Sequence, residues 1–283
     1  MRQTGFSSLL LLLFVPVILG ILFLRSTGNS PFLQVTAPVG TFERVKDKLS
    51  GIQSNVSWQF DYTARVWQAI GTPPACPEPM VIPSPVNAHL ASGILYPGQA
   101  RGGDYKPHGG FRFDNRDTND IEVRAIMDGY ILKASKYLEE GEAQILLFYV
   151  HDCGFMVMHD HLLTLSPKLQ AALSALPLNR EGDSRTTNIE PKVAITKGEV
   201  LATEIGHKNY KGQKNIFVDF GLYDLRRTNG AVYDADFRAR FPMIDEYGAY
   251  ALCWFDYLEA NDAGVVRNLP AGGHEGKVSD YCR

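Results

Sequence analysis

The chain predicts a mainly β fold, an antiparallel sandwich or barrel-like sheet with one short helical insertion, behind an N-terminal transmembrane helix. Three observations predict it. Glycine (26) and proline (16) fall between short apolar runs, the spacing of a turn-rich β protein. "IEVRAIMDGYILKA" alternates Ile121, Val123 and Ala125 against Glu122 and Arg124, then reaches the turn pair Asp128-Gly129. "QILLFYV", Gln144 to Val150, is an unbroken β-branched and aromatic run, the pattern of a strand buried on both faces. With 45% hydrophobic and 21% charged residues, the 283-residue chain has ordinary globular composition.

In chain order, residues 1–25 come first. Phe6 to Leu24 carries no charge over 19 residues and is flanked by Arg2 and Arg25. That length suits a helix crossing a bilayer, and Pro16 and Gly20 are tolerable in such a span. An uncleaved anchor and a cleaved secretory signal both fit and both export the rest of the chain; no A-x-A-like cleavage site follows. Arg25, Arg44, Lys46 and Lys48 beyond the segment oppose a simple charge rule for its orientation. Residues 26–75 read as a stalk, with Val45, Leu49 and Ile52 at the spacing of a short amphipathic helix. "GTPPACPEPMVIPSP" is an extended connector. Residues 76–230 form the expected main domain. In it "FMVMHDHL", "EVLATEI" and "NIFVDFGLYD" read as strands, and Asp128-Gly129 as the turn of a hairpin. Ser166-Pro167 opens a helix bearing Leu169, Leu173 and Leu176. Residues 231–283 are a C-terminal extension.

A net charge of −3, without a basic block, gives no nucleic-acid footprint. The four cysteines, Cys76, Cys153, Cys253 and Cys282, include no C-x-x-C pair; an even number in an exported chain suggests two disulfides, with Cys253 to Cys282 stapling the tail as one pairing. Of seven histidines, His159 and His161 stand out, because a spacing of two on a strand sends both to one face. Asn55-Val56-Ser57 is a glycosylation sequon, and Trp58, Phe60, Tyr62 and Trp67 read as packing residues.

Several motifs, taken together, resemble one family. "HGGFRFDNRDTNDIEVRAIMDGYI" resembles the H-x-G-x-D and V-x-A-x-x-x-G-x-V motifs of lysostaphin-type zinc metallopeptidases. "GFMVMHDHL" resembles their Y-x-H-L strand, "ITKGEVLATEIG" their V-x-x-G-x-x-I-x-x-x-G hairpin, and "FVDFG" stands where they carry H-L-H-F. Order and spacing agree over about 105–224, with an insertion around 169–191. The resemblance implies the duplicated-hybrid-motif β fold and zinc-dependent cleavage of peptide cross-links in bacterial cell walls. It places a zinc ligand at His108 and the Y-x-H-L histidine at His161, with His159 at the tyrosine position; in an active enzyme His159 or His161 is the expected catalytic general base. It also exposes two departures. The carboxylate ligand becomes Arg112, and the second ligand histidine becomes Asp219, with Phe217 at the other histidine of that motif.

Two readings follow. A guanidinium offers no lone pair, so Arg112 cannot ligate zinc. In the first reading Arg112 and Asp219 form an ion pair in the metal's place, and the domain binds a cell-wall peptide or an envelope partner protein without cleaving it. In the second, zinc is held in a rebuilt site by His108, Asp219 and either Asp114 or His161, and the domain remains an endopeptidase. An Asp114 ligand requires a sharp bend at Gly109-Gly110, because six extended residues span about 20 Å.

Overall fold

The structure is a computed structural model that describes residues 55–240 and 246–282. The described residues lie in one compact unit, Gln53–Arg283. The expected anchor and the expected amphipathic helix of the stalk lie outside them. Among the described residues no helix is long and apolar enough to cross a membrane.

The architecture is mainly β. A first hairpin joins β1 (Ser57–Asp61) and β2 (Val66–Ile70), and β3 (Gly93–Leu95), β4 (Gln99–Arg101), β5 (Asp104–Lys106) and β6 (Gly109–Arg112) follow. Next come β7 (Val123–Arg124), β8 (Gly129–Glu139), β9 (Glu142–Val150) and β10 (Phe155–Leu165). Helix α1 (Pro167–Ala172) interrupts them before β11 (Leu178–Glu181), β12 (Thr187–Asn188), β13 (Ala194–Ile195) and β14 (Val200–Ile205). A small hairpin, β15 (His207–Tyr210) and β16 (Gln213–Asn215), leads into β17 (Phe217–Asp224), and α2 (Ala235–Arg240) and α3 (Ala260–Asn268) complete the chain. The main sheet runs β11-β8-β9-β10-β17-β6-β3, antiparallel everywhere except at β11 on β8.

The sheet's inner face carries the larger core. Phe111, Leu147, Tyr149, Val157, Val218 and Phe220 meet Trp254, Phe255 and Val266 there. These C-terminal residues make the extension an integral layer, and Cys253–Cys282 ties its end down. The second bridge, Cys76–Cys153, fastens the proline-rich connector to the β9–β10 turn. On the outer face, Leu146, Phe148, Val150, Met156 and Met158 pack with Trp58 and Trp67. Each buried indole contributes on the order of 2–3 kcal/mol through removal of apolar surface from water. The β1–β2 hairpin, within the expected stalk, therefore belongs to the folded unit, which begins well before Cys76.

One local expectation is overturned. Asp128-Gly129 does not turn a hairpin: β7 pairs with β14, whereas β8 pairs with β9. Gly129 instead fits tightly under the neighbouring strand, where a Cβ would stand 2.4 Å from the Val150 carbonyl oxygen. The alternation of "IEVRA" matches burial of Ile121, Val123 and Ala125, but the partner strand comes from about 75 residues further along the chain. The predicted helix is short, with Leu169 and Leu173 buried.

Candidate functional site

Antiparallel order brings the end of β8, the start of β9, the end of β10, the start of β17 and the end of β6 to one edge of the sheet. On the outer face at this edge, aromatic packing gives way to a polar cluster of Tyr137, Glu139, Gln144, Asp160, His161, His207 and Asp219. Strand parity explains most of it. Val218 and Phe220 point into the inner core, so Asp219 points out; Phe111 points in, so Gly110 and Arg112 point out.

His159 and His161 do not share a face. Between His159↔Leu147 and Leu162↔Ile145, β10 carries one residue more than β9, a β-bulge that reverses the alternation. His161 sits in the bulge with φ 63°. His159 consequently points into the core, fully buried, with its ring against Tyr149 and Phe220. Burial pushes its pKa down to about 3, and neither ring nitrogen has a hydrogen-bond partner. A sealed, neutral imidazole cannot exchange protons with a substrate, so the catalytic role expected of His159 is withdrawn.

His161 faces the cluster. Its Nε2 lies 3.7 Å from Asp219 Oδ2 and its Nδ1 lies 3.5 Å from Glu139 Oε2. Phe217 covers the ring at 4.3 Å between centroids. Asp160 accepts a hydrogen bond from the Tyr137 hydroxyl at 2.9 Å and from the His161 backbone N–H at 2.8 Å, which fixes the bulge. Burial, with Asp219 nearby, raises the Asp160 carboxyl, although His161 works against that; burial and the charge of Asp160 raise the Tyr137 hydroxyl.

Asp219 meets His108, whose Nε2 is 3.0 Å from Oδ2. The two form a close ion-pair contact rather than a well-formed hydrogen bond, and Asp219 Oδ1 is buried without a hydrogen-bond partner. Burial disfavours the Asp219 carboxylate, but His108, His161 and Arg101 outweigh it and hold its pKa well below the usual carboxylate range. Gly110 permits this approach, since a Cβ there would stand 2.9 Å from Asp219 Oδ1.

The expected Arg112–Asp219 pair does not form. Arg112 sits at the strand end, and its guanidinium turns outward to Asp114, with contacts of 2.5–3.2 Å, and to Asn215 at 2.9 Å. The close carboxylate two residues further along the chain, just past the end of β6, captures it, with the Phe217 ring centroid 5.7 Å from the guanidinium carbon. Asp114 is thereby occupied and does not join His108. The zinc position implied by the family motifs keeps His108 and Asp219 in contact, with His161 Nε2 3.7 Å from Asp219 Oδ2 and the arginine turned away.

Spacing gave no hint of His207 or Glu139. His207 opens β15 after Gly206 (φ 75°), where a Cβ would stand 2.4 Å from the Asn215 carbonyl oxygen. Its buried ring lies 5.4 Å from that of His161, and its Nε2 lies 3.9 Å from Glu139 Oε2. Burial first, then the neighbouring His161, brings its pKa down to about 4, which leaves the imidazole neutral. Among the described residues, Glu139, His161 and His207 form the set whose donor atoms all lie within 4.8 Å of one another.

Beyond Phe217 and Arg112 opens a cleft of about 510 Å³, lined by Arg112, Asp114, Arg116, Tyr210, Lys211 and Lys214 among others. Its wall carries four cationic side chains against the single carboxylate of Asp114. Neither His108 nor Asp219 lines it.

No family model matches the chain, and no curated protein matches it. Among solved structures the chain is similar to one described as the NMR solution structure of lysostaphin, at 16% identity and a TM-score of 0.28. That match spans 49% of this chain and 49% of the other, about half the length of each.

Proposed function

We propose that the chain is a membrane-anchored, exported binding module of the cell envelope, built on a lysostaphin-type duplicated-hybrid-motif domain whose hydrolytic zinc position is degenerate. The observation that carries this reading is the state of that position. One family ligand is an arginine turned away to Asp114 and Asn215, and the two remaining donors, His108 and Asp219, stand in direct contact at 3.0 Å. The ordered motifs from His108 to Asp219 support the ancestry. The uncharged segment from Phe6 to Leu24 and the two disulfides support export.

The cleft beside the site supports a ligand class. Arg112 is paired with Asp114 and Lys211 with Glu140, while Arg116 and Lys214 add further positive charge, so the wall favours carboxylate-bearing peptide over a neutral glycan. Cell-wall peptide is the first candidate. The test is sedimentation of the full chain, purified in detergent, with insoluble peptidoglycan, beside an assay for released soluble peptides. Retention without release is expected, with Arg116→Glu/Lys214→Glu weakening retention by about tenfold, as reversal of two wall charges should. Peptide release that is lost in His108→Ala would overturn the reading in favour of an active zinc endopeptidase.

A further inference from the structure

We propose that Glu139, His161 and His207 bind a zinc-class divalent cation, at a position displaced from the one implied by the family motifs and made from a different set of residues.

The geometry is close to what such an ion requires. Two zinc bonds of about 2.0–2.1 Å at a tetrahedral angle hold their donor atoms roughly 3.3–3.4 Å apart. Glu139 Oε2 stands 3.5 Å from His161 Nδ1 and 3.9 Å from His207 Nε2, and all three donors lie within 4.8 Å of one another, so a modest contraction of the set brings them to these separations. Both nitrogens are buried and lack a hydrogen-bond partner, a costly arrangement in a folded protein unless something else occupies their lone pairs. The His207 side chain is only 1% exposed and that of His161 9%, so water does not solvate them from outside. Two imidazoles and a carboxylate are borderline donors suited to zinc rather than to magnesium or calcium, which take mostly oxygen.

The surroundings orient the ligands as metal-bound histidines require. His161 binds through Nδ1, and its Nε2 faces the Asp219 carboxylate at 3.7 Å. His207 binds through Nε2, which puts its proton on Nδ1. The Gln144 side chain lies 3.3 Å from that nitrogen, and its Oε1 is buried and unpartnered. The Gly206 carbonyl holds the Gln144 amide nitrogen as a donor on that side, so the acceptor facing the Nδ1 proton is Glu142 Oε2 at 3.9 Å. Glu139, about one-third exposed, closes the site on the solvent side. With three protein donors, a fourth position stays open. The inference is independent of the polymer-binding reading, since it concerns a different donor set.

The test uses zinc alone. The full chain, purified in detergent, is loaded with zinc and desalted; bound metal is measured by mass spectrometry and affinity by competition with a chelating dye. Near-stoichiometric zinc is expected, with Glu139→Gln and His207→Gln each weakening binding at least ~10-fold, the scale on which lost ligands and their supports act, and His108→Gln within about threefold of the parent. Glu139→Gln keeps shape and exposure, so it decides the matter even if His207→Gln folds poorly. Absence of zinc from the parent protein overturns the proposal. So does zinc lost with His108→Gln but kept with Glu139→Gln, which would place the ion at the His108–Asp219 position.

Discussion

The two ends of the sheet's outer face share strands β8, β9, β10 and β17 and solve opposite problems. At one end Trp67, Phe148 and Tyr247 surround Lys133, a buried cation. Its ammonium lies 2.8 Å from Glu246 Oε1 and 4.7–5.4 Å from the Trp67, Phe148 and Tyr247 ring centroids, so its charge is balanced within the fold. At the other end, five buried polar atoms, on His108, Gln144, His161, His207 and Asp219, have no hydrogen-bond partner. The buried lysine on one half of the face has its charge met within the fold, whereas on the other half one polar atom of each of these five side chains lacks a hydrogen bond. Unmet polar groups concentrated in one place mark where a ligand supplies the missing partners.

The comparison can be broken at its closed end first. Trp67→Ala should cost about 3–5 kcal/mol in chemical denaturation, because the hairpin loses its anchor and leaves a cavity. A loss below 1 kcal/mol would mean that the hairpin is not part of the cooperative unit. Glu246→Ala should cost on the order of 3 kcal/mol by removing a carboxylate 2.8 Å from the buried Lys133 ammonium. The double variant with Lys133→Met should recover much of that loss, and failure to recover would show that charge balance is not what Glu246 provides.

Much of this contrast was not legible in the sequence, for identifiable reasons. The strands from Gln144 to Val150 and from Phe217 to Asp224 were legible, since long apolar runs leave few alternatives. The hairpin at Asp128-Gly129 was not, because alternation reports which face is buried and says nothing about which strand lies alongside. His108 and Asp219 were brought together by the motif order, and the structure places them in contact. The partner of Arg112 was missed because Asp114, two residues along on the same side, outcompetes a residue across the sheet. A single extra residue in β10 separates His159 from His161, and bulges leave no reliable trace in a pattern of period two. His207 and Glu139 lie 68 residues apart and meet only through the folded sheet.

Two smaller effects sharpen the open end. Zinc at 100 times its dissociation constant should stabilise the parent protein by about 2.7 kcal/mol, seen as a rise in the unfolding midpoint, and should not stabilise Glu139→Gln at the same concentration. Equal stabilisation of both would detach the ion from this set. His159→Phe should raise stability by about 1 kcal/mol, since it removes two buried unsatisfied nitrogens from an apolar stack, and should leave zinc affinity unchanged. A fall in affinity would return His159 to the site.

The most direct test of the contrast is the set of histidine ring-nitrogen resonances of ¹⁵N-histidine-labelled full chain, recorded without zinc and with one equivalent. The account predicts that His161 shifts with metal on Nδ1 and His207 with metal on Nε2, while buried His159 stays in place. Metal-induced shifts at His108 with His207 unmoved, or no shift at any histidine, would contradict it.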